Sequence, residues 1–157
     1  MSAQQEPRAP RIVVGVDGSP SSLTALRWAV RQAELTGGTV DAVIAWQYPV
    51  SYAYGAYGWS PVTIEEGGID FDEIAEKTLA DAVSKVVDPA AAVTVRQRIV
   101  QGNPAQALID AARDAELLVV GSRGHGGFTG ALLGSVGLHC VHHAHCPVVV
   151  IRGQVNE

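Results

Sequence analysis

Apolar positions along this chain fall into short β-branched runs that alternate with stretches of helical spacing. Arg11 to Asp17 reads RIVVGVD, a strand-like run ending in a carboxylate. Ser19-Pro20 follows, a helix N-cap with proline at the first helical position. Leu23, Leu26, Ala29, Val30 and Ala33 then keep helical spacing until Gly37-Gly38 ends the pattern. Thr39 to Trp46 (TVDAVIAW) predicts a second strand. A helix returns at Asp70, where Asp70 and Glu73 resemble a capping box. Phe71, Ile74, Ala75, Thr78, Ala82 and Val86 are its expected buried stripe, and Asp88-Pro89 its end. Val93 to Val100 alternates apolar residues with Thr94, Arg96 and Arg98, as suits a strand at a sheet edge. Asn103-Pro104 caps a helix carrying Ala105, Leu108, Ile109 and Ala112. Leu117 to Gly121 (LLVVG) reads as a strand covered on both faces. A glycine-rich loop and a short helix follow, and Pro147 starts a last apolar strand, Val148 to Ile151.

Strands and helices therefore alternate throughout. That pattern predicts one doubly wound α/β domain over residues 11–153, a parallel sheet with helices on both faces and right-handed crossovers. Residues 1–10 and 154–157 read as tails. Residues 47–67 interrupt the alternation with Tyr48, Tyr52, Tyr54, Tyr57 and Trp59 among Gly, Pro and Ser. A connection of about 20 residues is long for a compact domain. It admits three readings: a mobile surface loop, a contact with a protein partner or second subunit, or a lid over a ligand.

Composition narrows the function classes. With 157 residues and 47% apolar content the chain is too hydrophobic for disorder and long enough for one core. The net charge is −5 and only Lys77 and Lys85 are lysines, which argues against nucleic-acid binding and against a basic membrane-surface patch. No apolar run reaches the roughly 18–20 residues of a membrane span. The N-terminal segment MSAQQEPRAP lacks the apolar stretch of a signal peptide, and two cysteines make no disulfide framework. A cytoplasmic location is the expectation.

The glycine content points to the chemistry. Seven of the 17 glycines fall in residues 121–137, GSRGHGGFTGALLGSVG, where Arg123 is the only full charge. A loop of this kind, between a strand end and a helix start, brings backbone N–H groups close to a ligand. Gly134-Ser135 adds the positive end of a helix, so the feature favours an anion such as phosphate. The Walker pattern GxxxxGK[ST], the dinucleotide pattern GxGxxG and the hydrolase elbow GxSxG are all absent.

Gly121-x2-Gly124, nine further residues and then Gly134-Ser135 resembles the G-2x-G-9x-G-(S/T) nucleotide motif of the universal stress protein family. VVGVDGS at 13–19, LLVVGSRG at 117–124 and HCVHHAHCPVVVIR at 139–152 are similar to that family's first strand and turn, fourth strand, and closing helix and strand. The resemblance covers residues 10–153. It implies strand order 3-2-1-4-5 and ATP binding at the switch between the first and fourth strands, the location expected in doubly wound sheets. By resemblance, Gly15, Val16 and Asp17 line the adenosine part, with Asp17 near the ribose or a Mg²⁺. Asp17 has a second reading, as a charge stabilising the start of the following helix. Trp46 stands where the family contacts adenine through backbone, and Val100 would form a wall. Gly121, Arg123, Gly124, His125, Gly126, Gly134 and Ser135 would hold phosphates.

The resemblance implies a nucleotide-binding regulatory protein of stress physiology. A weak ATPase, a cyclic-AMP-binding member and a structural dimer without ligand are the alternatives. No motif supplies a nucleophile with a placed base, so catalysis beyond slow ATP hydrolysis is not indicated. His139, Cys140, His142, His143, His145 and Cys146 make a zinc site sterically conceivable. Cys140, however, shares a stripe with Leu133, Val136 and Gly137 and reads as a small core residue. The last strand, residues 147–152, is apolar yet falls at a sheet edge in the implied order. Pairing with its copy about a two-fold axis would cover it, and the resemblance implies the same homodimer.

Overall fold

The computed structural model describes residues 8–48, 70–123 and 133–153. The glycine-loop residues Gly124, His125 and Gly126 and the aromatic stretch 49–67 lie outside the described residues. Among the described residues, five strands and four helices alternate: β1 (Arg11–Gly15), α1 (Pro20–Thr36), β2 (Thr39–Trp46), α2 (Phe71–Val86), β3 (Val95–Gln101), α3 (Pro104–Ala111), β4 (Leu117–Gly121), α4 (Ser135–His143) and β5 (Val148–Ile151). All pairings are parallel and the sheet order is β3-β2-β1-β4-β5. The doubly wound fold and its strand order are as the sequence reading expected.

Each helix begins where a side chain can satisfy its first amides, except the last. Ser19 caps α1 through Oγ, which accepts from the Ser22 amide at 3.3 Å; Asp70 caps α2 by accepting from the Glu73 amide at 3.1 Å. Asn103 caps α3 by accepting from the Gln106 amide, with Pro104 following. Gly37 ends α1 in the left-handed region, φ 70°, as a glycine C-cap.

The core has two layers because β-strand side chains alternate between faces. Ile12, Val14, Val40, Ala42, Ile44 and Val119 pack against α1 and α2. Val13, Val43, Leu118 and Val120 pack against α3 and α4, where Leu108, Ile109 and Cys140 meet them. The buried stripe of α2 differs from expectation. Ala75, Leu79 and Ala82 are buried, whereas Ile74 is 52% exposed. The face that meets the sheet runs through positions 75, 79 and 82, and Ile74 lies about 100° away from Ala75 around the helix. β3 also ends one residue later than expected, at Gln101, and its middle residues Arg96, Gln97 and Arg98 are exposed, as befits an edge.

Candidate functional site

The chain order sends α1 and α2 to one face and α3 and α4 to the other, so the winding reverses between β1 and β4. A crevice beyond the carboxyl ends of these two strands is the general binding place of such sheets. The turn after β1 is built by short polar side chains. Asp17 Oδ1 accepts from the Ser19 amide at 2.9 Å, and Ser22 Oγ accepts from the Asp17 amide at 3.2 Å. Gly18 takes φ 83°, a backbone state that other residues rarely adopt. Asp17 is half-buried and its carboxylate helps organise the start of α1, in agreement with its second sequence reading.

The end of β4 is stitched to this turn. The Arg123 amide donates to Ser21 Oγ at 3.4 Å, and Ser19 Oγ donates to the Arg123 carbonyl at 3.4 Å. Gly121 is glycine for a packing reason: a Cβ there would stand 2.9 Å from the Ser21 carbonyl carbon and collide with Ser21 Oγ. The Gly134 amide donates to the Ser122 carbonyl at 2.7 Å, which brings the two ends of the glycine loop together. From there α4 starts. Gly134 is its N-cap at φ −68° and ψ 167°, and among the described residues no side chain caps the helix. An uncapped helix start leaves N–H donors without an intrahelical partner and carries a partial positive charge. Ser135 is exposed on the first turn and Arg123 is exposed nearby in the chain, after Ser122.

The structure thus brings Gly15, Asp17, Gly121, Arg123, Gly134 and Ser135 to the same end of the sheet. Val16 lies there too, but its side chain is buried in the α1-side core and its amide donates to the Val43 carbonyl at 2.8 Å. Trp46 ends β2 with its indole held on α2: Nε1 donates to Asp72 at 3.1 Å, and the ring stacks on Phe71 at 5.9 Å between centroids. Tyr48 meets both rings edge-on. Val100 lies one residue before the end of β3 and also lines a cleft between β3 and α3.

The organising hydroxyls Ser19, Ser21, Ser22 and Ser122, all buried, carried no signal beyond the Ser19 cap in the sequence. Short polar residues just after a strand are the only hint available. On α4, Cys140 is fully buried with Sγ 4.0 Å from the Ala105 carbonyl, and burial together with nearby Cys146 pushes its thiol up to about 11. The His139 and His143 rings lie 4.5 Å apart, yet among the described residues no group of three or more His, Cys, Asp or Glu is placed to hold a metal ion.

A doubly wound sheet of order 3-2-1-4-5 with an uncapped helix at its switch point defines the architectural class. Residues 9–152 match the model of the universal stress protein family. The chain belongs to that family. It is 37% identical over 147 residues to universal stress protein Rv2623 of Mycobacterium tuberculosis, covering 91% of this chain and 48% of the relative. The chain thus spans about half the length of the curated relatives it matches. Among solved structures, the universal stress protein UspA of Lactobacillus plantarum superposes with a TM-score of 0.68 at 25% identity, over 94% of this chain and 100% of that one. A universal stress protein in complex with cAMP superposes at 0.58 with 26% identity, also over 94% and 100%.

Proposed function

We infer that this chain binds an adenine nucleotide, ATP, beyond the carboxyl ends of β1 and β4, and acts as a regulatory stress protein whose conformation or assembly follows the ligand. The observation that carries this reading is the uncapped start of α4 at the switch point. Among the described residues no side chain accepts from its first amides, and an anion with several acceptor oxygens would satisfy them together. Phosphates would lie against Gly134, Ser135 and Gly121, with Arg123 adding the one full charge and Gly124, His125 and Gly126 completing the loop. The adenosine part would lie along Gly15, Val16 and Asp17, toward Trp46. Asp17 supplies a carboxylate for a ribose hydroxyl or for a Mg²⁺ that travels with the phosphates.

No residue is assigned a catalytic role, because the sequence carries no motif of a nucleophile with a placed base. The cytoplasm is the proposed place of action. Residues 47–67, rich in aromatics, are proposed as the contact for a protein partner. A second reading, cyclic AMP as the ligand, is favoured by the relative solved in complex with cAMP. Adenosine with one phosphate would use the same edge.

Calorimetric titration of the full chain with ATP, ADP, AMP and cyclic AMP, with and without Mg²⁺, tests both. Saturable binding of ATP near one equivalent per chain, tighter than cyclic AMP, is expected. Tighter cyclic AMP binding transfers the site to the second reading, and no heat with any nucleotide overturns both.

A further inference from the structure

A second cleft lies on the other side of the molecule's chemistry, between α3 and the outward face of β3. Its volume is about 460 Å³, and its walls carry Arg11, Asp41, Arg96, Arg98, Val100 and Asp110 together with small alanines of α3. The cleft follows from the topology. α3 has eight residues and packs over β1 and β2, so among the described residues no helix covers the neighbouring side of the edge strand β3. Arg96 pairs in register with Asp41, and Arg98 with Val43, so both arginines project from the same sheet face as the buried Asp41. Arg11 begins β1, and Asp41 and Arg96 lie in the first halves of their strands. The cleft runs from these amino-end residues along the outward face of β3 to Val100, on the α3 side of the sheet.

Two independent features make it a site. The first is charge. Three of the eleven lysine and arginine residues of a chain with net charge −5 converge on one cleft. Arg11 Nη1 is committed, to Asp41 Oδ2 at 3.0 Å and to the Ala111 carbonyl at 2.9 Å. Arg96 and Arg98 are exposed and pair with no carboxylate among the described residues. The second is an unmet acceptor. The side chain of Asp41 is only 4% exposed, and its other oxygen, Oδ1, is buried without a hydrogen-bond partner. A buried acceptor left alone is costly, because the contacts it gave up with water are not replaced. Asp41 forms part of the cleft wall; Oδ1 itself is closed to solvent, so a donor reaches it only as the wall gives way around the entering ligand. Asp110, whose Oδ1 accepts from Gln106 Nε2 at 2.9 Å, is a further acceptor in the wall and excludes a ligand charged throughout.

We propose that this cleft binds a small anion that also carries hydroxyl groups, a phosphate monoester or a carboxylate of a short polyol. The anionic group sits on the guanidinium groups of Arg96 and Arg98, which present paired donors suited to such oxygens. The hydroxyls donate toward Asp41 Oδ1 and Asp110. The site makes β3 and α3 a ligand-sensing side of the protein, separate from the nucleotide edge.

Amide chemical shifts of the full chain test it, with four probes titrated in turn. Glycerol 3-phosphate and glycerate carry both features, the first as a phosphate and the second as a carboxylate. Sulfate carries charge without a donor, and glycerol carries donors without charge. Saturable shifts in residues 40–43 and 95–101 with either hydroxylated anion are expected, and which one binds tighter identifies the anionic group. The double variant R96Q/R98Q, altered at exposed positions, should keep its melting temperature and its response to ATP while losing this affinity about tenfold or more. Shifts confined to Gly121, Ser122 and the start of α4, no saturable shift at all, sulfate binding as tight as either hydroxylated anion, or undiminished binding by the double variant would each overturn the proposal.

Discussion

Gly121 illustrates how one residue serves packing at a place where sequence suggests binding. Its position in the motif invites a test in which a bulky side chain blocks phosphate. The structure places the backbone of Ser21 where any Cβ would go, so such a variant would disturb the contact between β4 and α1 before it touched a ligand. Gly121→Ala should destabilise the protein by about 1–3 kcal/mol, the scale of overpacking a tight interior contact. Thermal melting should show this as a fall of several degrees, and an unchanged melting temperature would return Gly121 to a role in ligand approach alone. Asp17 shows the reverse case. The family resemblance assigns it to ribose or Mg²⁺, while its bond to the Ser19 amide gives it structural work that binding has to share. Asp41 was unremarkable in TVDAVIAW; only its depth in the sheet makes its second oxygen matter.

Among the elements, α4 is the one whose local design departs from its neighbours. α1, α2 and α3 are each capped by a side-chain oxygen, whereas α4 begins at a glycine that offers none. Its amide end is open at some cost in helix stability, of a few tenths of a kcal/mol relative to a better cap. Gly134→Asp exploits that difference, since φ −68° suits any residue. The new carboxylate should accept from the free amides and repel phosphate. Melting temperature should stay level or rise, while ATP affinity falls more than about tenfold, the scale of a lost charged contact. Full ATP affinity in this variant would remove the start of α4 from the binding site. The caps, glycine stop and strand runs that delimit these elements were all readable in the sequence, because they depend on neighbours within about four positions. The register of the buried face of α2 was not. It depends on how the helix is rolled against β2 and β3, and the roll buried Leu79 in place of Ile74.

For the whole molecule, the exposed edge at β5 is the open question that assembly would answer. All four residues of β5 are half-buried, and α4, packed beside it, exposes Leu138 and Val141 at 48% each. An apolar edge strand flanked by apolar side chains favours pairing with a second copy about a two-fold axis. Light scattering at micromolar concentration should report twice the 16.4 kDa chain mass. A mass of one chain would leave the edge to another partner. Among the described residues no helix is long and apolar enough to cross a membrane, so membrane insertion of a helix does not account for this apolar surface.

The sequence by itself determined the order of elements, their caps, the parallel sheet and the family, since β-branched runs, helical spacing and motif glycines are local or strictly spaced signals. It also located the charge-poor glycine loop that frames the proposed nucleotide edge. Only the tertiary structure decided that Gly121 is small because of Ser21, that the Trp46 indole is held on α2, and that Val100 shares a cleft with Arg96 and Arg98. The same holds for the meeting of Arg11, Asp41, Arg96 and Arg98. These residues lie up to 87 positions apart, between 11 and 98, and parallel register alone makes them neighbours. Contacts of that kind depend on which face each strand turns toward which helix, and no short stretch of sequence carries that information.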